Sequence, residues 1–193
     1  MSSMFTTKNG DAGTTRLISG DVVSKTHPAV VCTGVLDGVR AQLAEGRLMV
    51  LASDAPGAEE HGEFLFWLLH VCFLIGTQVN DPEGKKPEYR VDTVGDAHLL
   101  RLEKEQARIE ATLDMPRAFI VTATTLEAAR FDVIATQVRA LERELVALAE
   151  AEPEFEAAGL LRFVNRLSDY LVVLARALDR GVHQSVDYSR VTA

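Results

Sequence analysis

Three short segments of the chain gather residue types that bind anions and orient them. The first, Thr6–Thr15, reads TTKNGDAGTT. Gly10 and Gly13 lie three apart, and glycine takes positive φ without strain, so amide N–H groups here can turn inward as an anion nest. Thr7, Thr14 and Thr15 supply hydroxyl donors, Lys8 a positive charge, and Asp11 a carboxylate suited to Mg²⁺ or a ribose hydroxyl. This is not a Walker loop: the GxxxxGKS/T spacing is missing and no apolar strand precedes it. On composition alone, an irregular N-terminal leader is the competing reading. The second segment holds Arg139, Glu142 and Arg143, which at i, i+3 and i+4 share one helical face. Such a trio is either a solvated, salt-bridged surface or an arginine pair that grips phosphate oxygens while the glutamate orients one guanidinium. The third segment places Asn165, Ser168 and Asp169 inside the helical run FVNRLSDYL. Asn and Asp side chains compete for backbone groups and are poor in a helix interior, so their presence points to ligand or interhelix hydrogen bonding.

Other chemistries lack a signature. The five histidines (His27, His61, His70, His98, His183) are scattered, with no HExxH and no i, i+4 pair, so no histidine metal site is expected. Neither a GxSxG elbow nor a Ser–His–Asp order is present. Cys32 and Cys72 lie forty apart in apolar surroundings and read as small buried side chains rather than a disulfide or zinc pair.

The elements that must position these segments are helices. At 193 residues, 47% of them hydrophobic, the chain suffices for a single sizeable core. Its net charge of −8 argues against a nucleic-acid coat or an anionic membrane surface. MSSMFTTKNGDAGTT has no basic or apolar leader region, which predicts a cytoplasmic protein. The apolar run Phe64–Ile75 falls short of the roughly 20 residues that span a bilayer, and reads as a buried core helix. Residues 1–26 read as irregular. A first helix opens at Pro28, with Thr26 as its cap, carries Val31, Val35, Val39 and Leu43, and is expected to end near Glu45–Gly46. A second covers about 59–79. An exposed loop, 80–93, precedes a third at about 94–113. The fourth starts at Leu126, with Leu126, Ala129, Val133, Val138, Leu141, Leu145 and Leu148 as its apolar stripe, and stops by Pro153. The fifth covers about 155–180, and the polar tail 181–193 is expected to fray. Five helices with mostly short connections predict an all-α bundle of antiparallel neighbours.

In this order, the three segments resemble the cobalamin adenosyltransferases of the PduO type. The family's TKTGDxGTT, with a Ser-Lys a few residues on, is similar to Thr7–Thr15 (TKNGDAGTT) followed by Ser24-Lys25. Its YLNRLSDYLFVLAR is similar to FVNRLSDYLVVLAR at Phe163–Arg176, and its RRAER run to RALER at Arg139–Arg143. The likeness covers nearly the whole chain. It implies a five-helix bundle of the adenosyltransferase type that moves the 5′-deoxyadenosyl group of ATP to cob(I)alamin, releasing triphosphate. It further implies a homotrimer with MgATP in a cleft between subunits and a reduced corrinoid beside it, with neither nucleic acid nor membrane as a partner. Residues 1–26 would then be a nucleotide-binding segment and 27–180 the bundle. Thr7, Lys8, Gly10, Asp11, Gly13, Thr14 and Thr15 would fold over the triphosphate. Lys8, Lys25 and Arg139 would meet phosphates, with Glu142 and Asn165 completing the nucleotide and Mg²⁺ surroundings and Arg143 among the cofactor-binding residues. Phe119 matches the aromatic that displaces the lower axial base from cobalt, and Asp37 an acidic residue near the corrin.

The departures cluster on the corrin side. The family's LPGG is Val121-Thr122-Ala123-Thr124 here, LHxAR is Phe131–Ala135, the second arginine of the RR pair is Ala140, and DELN is Asp37-Gly38-Val39-Arg40. Ala135 stands where the family has an arginine paired with the acid at 37, and Arg40 would restore that charge if the first and fourth helices pack together. The alternative to an active enzyme is a non-catalytic relative that binds ATP or cobalamin as a sensor or carrier.

Overall fold

The computed structural model describes Lys8 and residues 10–192. Five helices form the bundle: α1 (Pro28–Ala52), α2 (Ala58–Val79), α3 (Asp96–Glu110), α4 (Leu126–Ala151) and α5 (Ala158–Leu178). Two antiparallel strand pairs flank them, β1 (Thr14–Arg16) with β2 (Val22–Ser24), and β3 (Ile120–Thr122) with β4 (Gln184–Ser185). Around the bundle the order of packed neighbours is α2, α1, α4, α5, α3. Aromatic rings close the ring of helices between α2 and α5, with the Phe64 centroid 5.1 Å from Tyr170 and Trp67 6.3 Å from Phe163.

Local chemistry explains the helix ends, with some corrections to expectation. His27, not Thr26, caps α1: its Nδ1 accepts from the Ala29 amide at 3.2 Å, and Pro28 takes the first position, where no N–H is needed. The Thr26 hydroxyl is engaged with Ser24 at 2.8 Å instead. Nor does α1 stop at Gly46. It runs on to Ala52, because Gly46 is a close-approach residue: a Cβ there would lie 3.0 Å from Cζ of Phe131 and 3.2 Å from Cδ1 of Ile134. Thr125 caps α4 by accepting from the Ala128 amide at 3.1 Å.

The core-facing stripe of α4 also differs in its first half. Ala128, Phe131, Ile134 and Ala135 are buried, whereas Leu126 and Val133 are 79% and 46% exposed. Both sets recur at helical spacing, and the approach of Gly46 to Phe131 and Ile134 selects the second. From Val138 onward Leu141, Leu145 and Leu148 are buried as expected. Ion pairs His27–Glu152 (3.2 Å) and Arg130–Glu45 at the two ends show that α4 runs antiparallel to α1.

Three stretches read as irregular are tied down. The β1–β2 hairpin is anchored by buried Leu17, by the Ser19 amide donating to the Asn80 carbonyl (3.2 Å), and by the Lys85–Asp21 ion pair (2.9 Å). Within the 80–93 loop, the fully buried Asp81 carboxylate accepts from the Lys85 and Lys86 amides, each at 2.9 Å. The tail pairs with β3 in place of the fraying expected of its polar sequence. The helix α2 is long and apolar enough to cross a membrane by length and composition alone, and half of it packs inside the bundle. Cys32 and Cys72 are both buried and free, and burial pushes each thiol up to about 12.

Candidate functional site

The N-terminal segment forms a tight turn leading into β1. Asp11 N–H donates to the Lys8 carbonyl at 3.3 Å, Gly13 N–H to Gly10 at 3.2 Å, and Lys25 N–H to Gly13 at 2.9 Å. Gly13 adopts φ +81°, a conformation glycine tolerates without strain. Gly10 leaves room for the Lys25 side chain, since a Cβ there would sit 3.0 Å from Nζ. Two of the turn's amides are therefore spent on its own carbonyls, so the nest expected there is only partly available. What remains for an anion are the exposed ammonium of Lys25, Lys8, and the hydroxyls of Thr14 and Thr15 on β1. Thr7 lies outside the described residues.

The second group is assembled by α4 and α5. Asn165 Nδ2 donates to Glu142 Oε1 at 2.9 Å, the interhelix hydrogen bond its helix-interior position pointed to. Arg139 and Arg143 project from the same stretch of α4 and, among the described residues, enter no ion pair. Arg166 is different, held by Glu103 at 3.3 Å and by Asp169 at 2.9 Å. Asp169 is thus committed to Arg166, and Ser168 donates back to the Asn165 carbonyl at 2.9 Å. Two uncompensated guanidiniums beside an amide–carboxylate pair form a surface that attracts a polyanion.

Among the described residues of one chain, no hydrogen bond or ion pair joins the two groups. The N-terminal hairpin sits at the α4 end marked by Glu152, thirteen residues beyond Arg139, or about 20 Å of helix. Two cavities are lined by other residues. One of about 940 Å³ borders Gln78, Arg90 and Phe155, and one of about 430 Å³ lies between α2 and α3 with Arg101 stacked 4.3 Å from Trp67.

The corrin-side candidates lie at other points. Phe119 is 80% exposed, and its carbonyl accepts from Val186 N–H at 2.8 Å. Asp37 is paired with Arg40 of its own helix at 3.1 Å, and the Arg40 guanidinium lies 4.9 Å over the Phe73 ring of α2. The helices α1 and α4 do pack together, the condition set for Arg40, and Arg40 is the cation paired with Asp37, while Ala135 is buried. A polar cluster that sequence reading missed, Asp132, Arg176 and the fully buried Asp179, meets the chain at Thr124, five residues after Phe119. Its only signal in the sequence was a charged pair at the end of an apolar helix.

The described chain is thus a five-helix bundle that carries two groups of exposed cations, with both thiols buried. A family model described as cobalamin adenosyltransferase matches residues 5–178. The chain belongs to that family. It is 34% identical over 180 residues to the corrinoid adenosyltransferase PduO of Salmonella typhimurium, covering 93% of this chain and 51% of that protein. The Citrobacter freundii PduO is 35% identical over 188 residues, with 93% and 51% covered. The chain thus spans about half the length of these two relatives. A cobalamin adenosyltransferase of Cupriavidus metallidurans is 32% identical over 182 residues, covering 93% of this chain and 90% of that one. The fold matches a variant PduO-type ATP:corrinoid adenosyltransferase from Lactobacillus reuteri, solved with cobalamin and ATP. The TM-score is 0.82 at 23% identity, covering 94% of this chain and 96% of that one.

Proposed function

We propose that the protein transfers the 5′-deoxyadenosyl group of ATP to cob(I)alamin. The observation that carries this reading is the Asn165–Glu142 hydrogen bond beside Arg139 and Arg143, which enter no ion pair among the described residues, on a fold of this family. In the reaction the Co(I) electron pair attacks the 5′ carbon, a Co–C bond forms, and the C5′–O bond breaks with its electrons leaving on triphosphate. No protein base or covalent nucleophile is required. The chain's task is to align ATP and to stabilise charge on the departing phosphates, which Arg139, Arg143, Lys25 and Lys8 suit. Glu142 is the carboxylate beside the arginines, and Asn165 engages its Oε1. A Mg²⁺ riding on the triphosphate fits such a site, because Mg²⁺ takes one or two carboxylates together with phosphate oxygens and water.

The site is completed by a homotrimer in which the turn and hairpin of residues 8–25 close over Arg139, Glu142, Arg143 and Asn165 of a neighbour. The separation of about 20 Å along α4 within one chain supports this, since a nucleotide needs both groups at once. Residues 1–26 act as the nucleotide-binding segment on the 27–180 bundle, and the protein works in the cytoplasm. Phe119 and Asp37 face the corrin. The test is adenosylcobalamin formation from ATP and chemically reduced cobalamin. Arg139→Ala is expected to lower turnover about 10²- to 10³-fold, as loss of one charge-stabilising donor does. A folded wild-type protein that forms no adenosylcobalamin under these conditions overturns the proposal.

A second reading is a sensor or carrier that binds ATP or cobalamin without turnover. It is favoured by buried Ala135 and by the pairing of Asp37 within its own helix. MgATP binding without product in a single-turnover assay selects it.

A further inference from the structure

The segment from Phe119 to Thr125 has Ala123 and Thr124 where the family's LPGG has its two glycines, and its attachment to the bundle is polar. Among its described residues only Ala123 packs against the core, while Phe119 and Val121 are 80% and 60% exposed. What holds the segment is Asp179, at the end of α5. Its side chain is fully buried, and Oδ1 accepts from Thr124 N–H at 2.7 Å and from the Thr124 hydroxyl at 2.9 Å. Arg176 Nη1 lies 3.5 Å from Oδ2 of the same carboxylate, and its Nη2 donates to Asp132 on α4 at 2.6 Å. The neighbouring Thr125 hydroxyl donates to the Leu178 carbonyl at 3.2 Å. On the far side, β4 pairs Ser185 with Ile120 and Gln184 with Thr122. The backbone that carries Phe119 is therefore clamped from both ends, by the tail and by a buried carboxylate. A carboxylate hydrogen-bonded to N–H and O–H fixes both direction and distance, which a glycine turn cannot do.

We propose that Asp179 is a positioning residue for the corrinoid reaction, setting through Thr124 the placement of the strand from which Phe119 meets the corrin. This rests on the reading that Phe119 acts at the lower face of cobalt. On that reading, rigid placement matters because an aromatic ring displaces an axial ligand only at a defined height above the metal. Thr124 in place of the second glycine would then be a change in how the strand is held, with the ring still delivered to the same place.

The experiment measures four-coordinate cob(II)alamin by electron paramagnetic resonance with the full chain and MgATP, alongside nucleotide affinity and thermal melting. Asp179→Asn and Thr124→Val are each expected to lower the four-coordinate fraction about tenfold, the effect of one lost charge-assisted hydrogen bond. ATP affinity should stay within about twofold, because Arg139 and Asn165 lie far from this network. Thr124→Ser, which keeps the hydroxyl, should restore the signal. Phe119→Ala should abolish it, and Asp179→Asn added to Phe119→Ala should cause no further loss. Wild-type signal in Thr124→Val and in any folded Asp179→Asn overturns the positioning role. So does a parallel loss of ATP affinity, which would mark a general structural defect. Wild-type signal in Phe119→Ala, or no four-coordinate species in the wild type, overturns the underlying reading of Phe119 instead.

Discussion

Replacing Gly46 by alanine sets two effects of similar size against each other. In the interior of a free helix, Gly→Ala is stabilising by about 1 kcal/mol, because the unfolded glycine has more conformational entropy to lose. At position 46 the new methyl would lie 3.0 Å from Cζ and 3.3 Å from Cε1 of Phe131, and 3.2 Å from Cδ1 of Ile134. Both neighbours are fully buried, so neither can swing away without displacing core atoms. Overpacking of this kind costs about 1–3 kcal/mol, so the steric effect wins and the variant loses about 1 kcal/mol net. Gly34 in the same helix is the control: nothing lies within 4 Å of its Cβ position, so Gly34→Ala should gain about 0.5–1 kcal/mol. For a chain of this size, 1 kcal/mol is about 2–4 °C in Tm. Urea unfolding followed by circular dichroism measures both. Because α4 carries Arg139, Glu142 and Arg143, the Gly46 variant should also weaken MgATP binding. The reasoning is refuted if Gly46→Ala is stabilised as much as Gly34→Ala.

Asn165→Ala removes the bond to Glu142 on an exposed surface, so it should cost under about 1 kcal/mol of stability while raising the KM for ATP several-fold; an unchanged KM would dissociate this pair from the nucleotide. The Asp21 carboxyl is held below its ordinary value, first by Lys85 and then by Ser19. A lowered folded value means the unfolded state binds protons more readily. The hairpin's contribution from this pair is therefore present above about pH 4 and lost as pH falls through the lowered value. Asp21→Asn should differ from wild type near neutrality and converge with it in acid, as followed by thermal melting. Both thiols, pushed up to about 12 by burial, should resist alkylation in the native protein and react together on unfolding, with a mass shift as the readout.

Much of the candidate site was legible because anion chemistry leaves local traces. Asn165 is costly inside a helix, and that cost pointed to a partner, which proved to be Glu142. Other contacts left no such trace. Nothing around Asp179 announces that it will meet Thr124, fifty-five residues away, and nothing around Gly46 says that it spaces two helices rather than ending one. Asp21 reads as one more surface acid until Lys85 of a distant loop arrives beside it.

By itself the sequence determined that the chain is helical, where four of the five helices begin and end to within a few residues, and which arginines could serve a phosphate. Those features follow from periodicity, capping and charge, all of which act over a few residues. Only the tertiary structure decided which stripe of α4 faces inward, that residues 14–24 fold back as a hairpin while residues 184–185 pair with β3, and that the hairpin joins α1 about 20 Å of helix from Arg139. Each of those depends on packing between segments far apart in the chain. There, steric fit and buried hydrogen bonds choose among patterns that local propensity leaves equivalent.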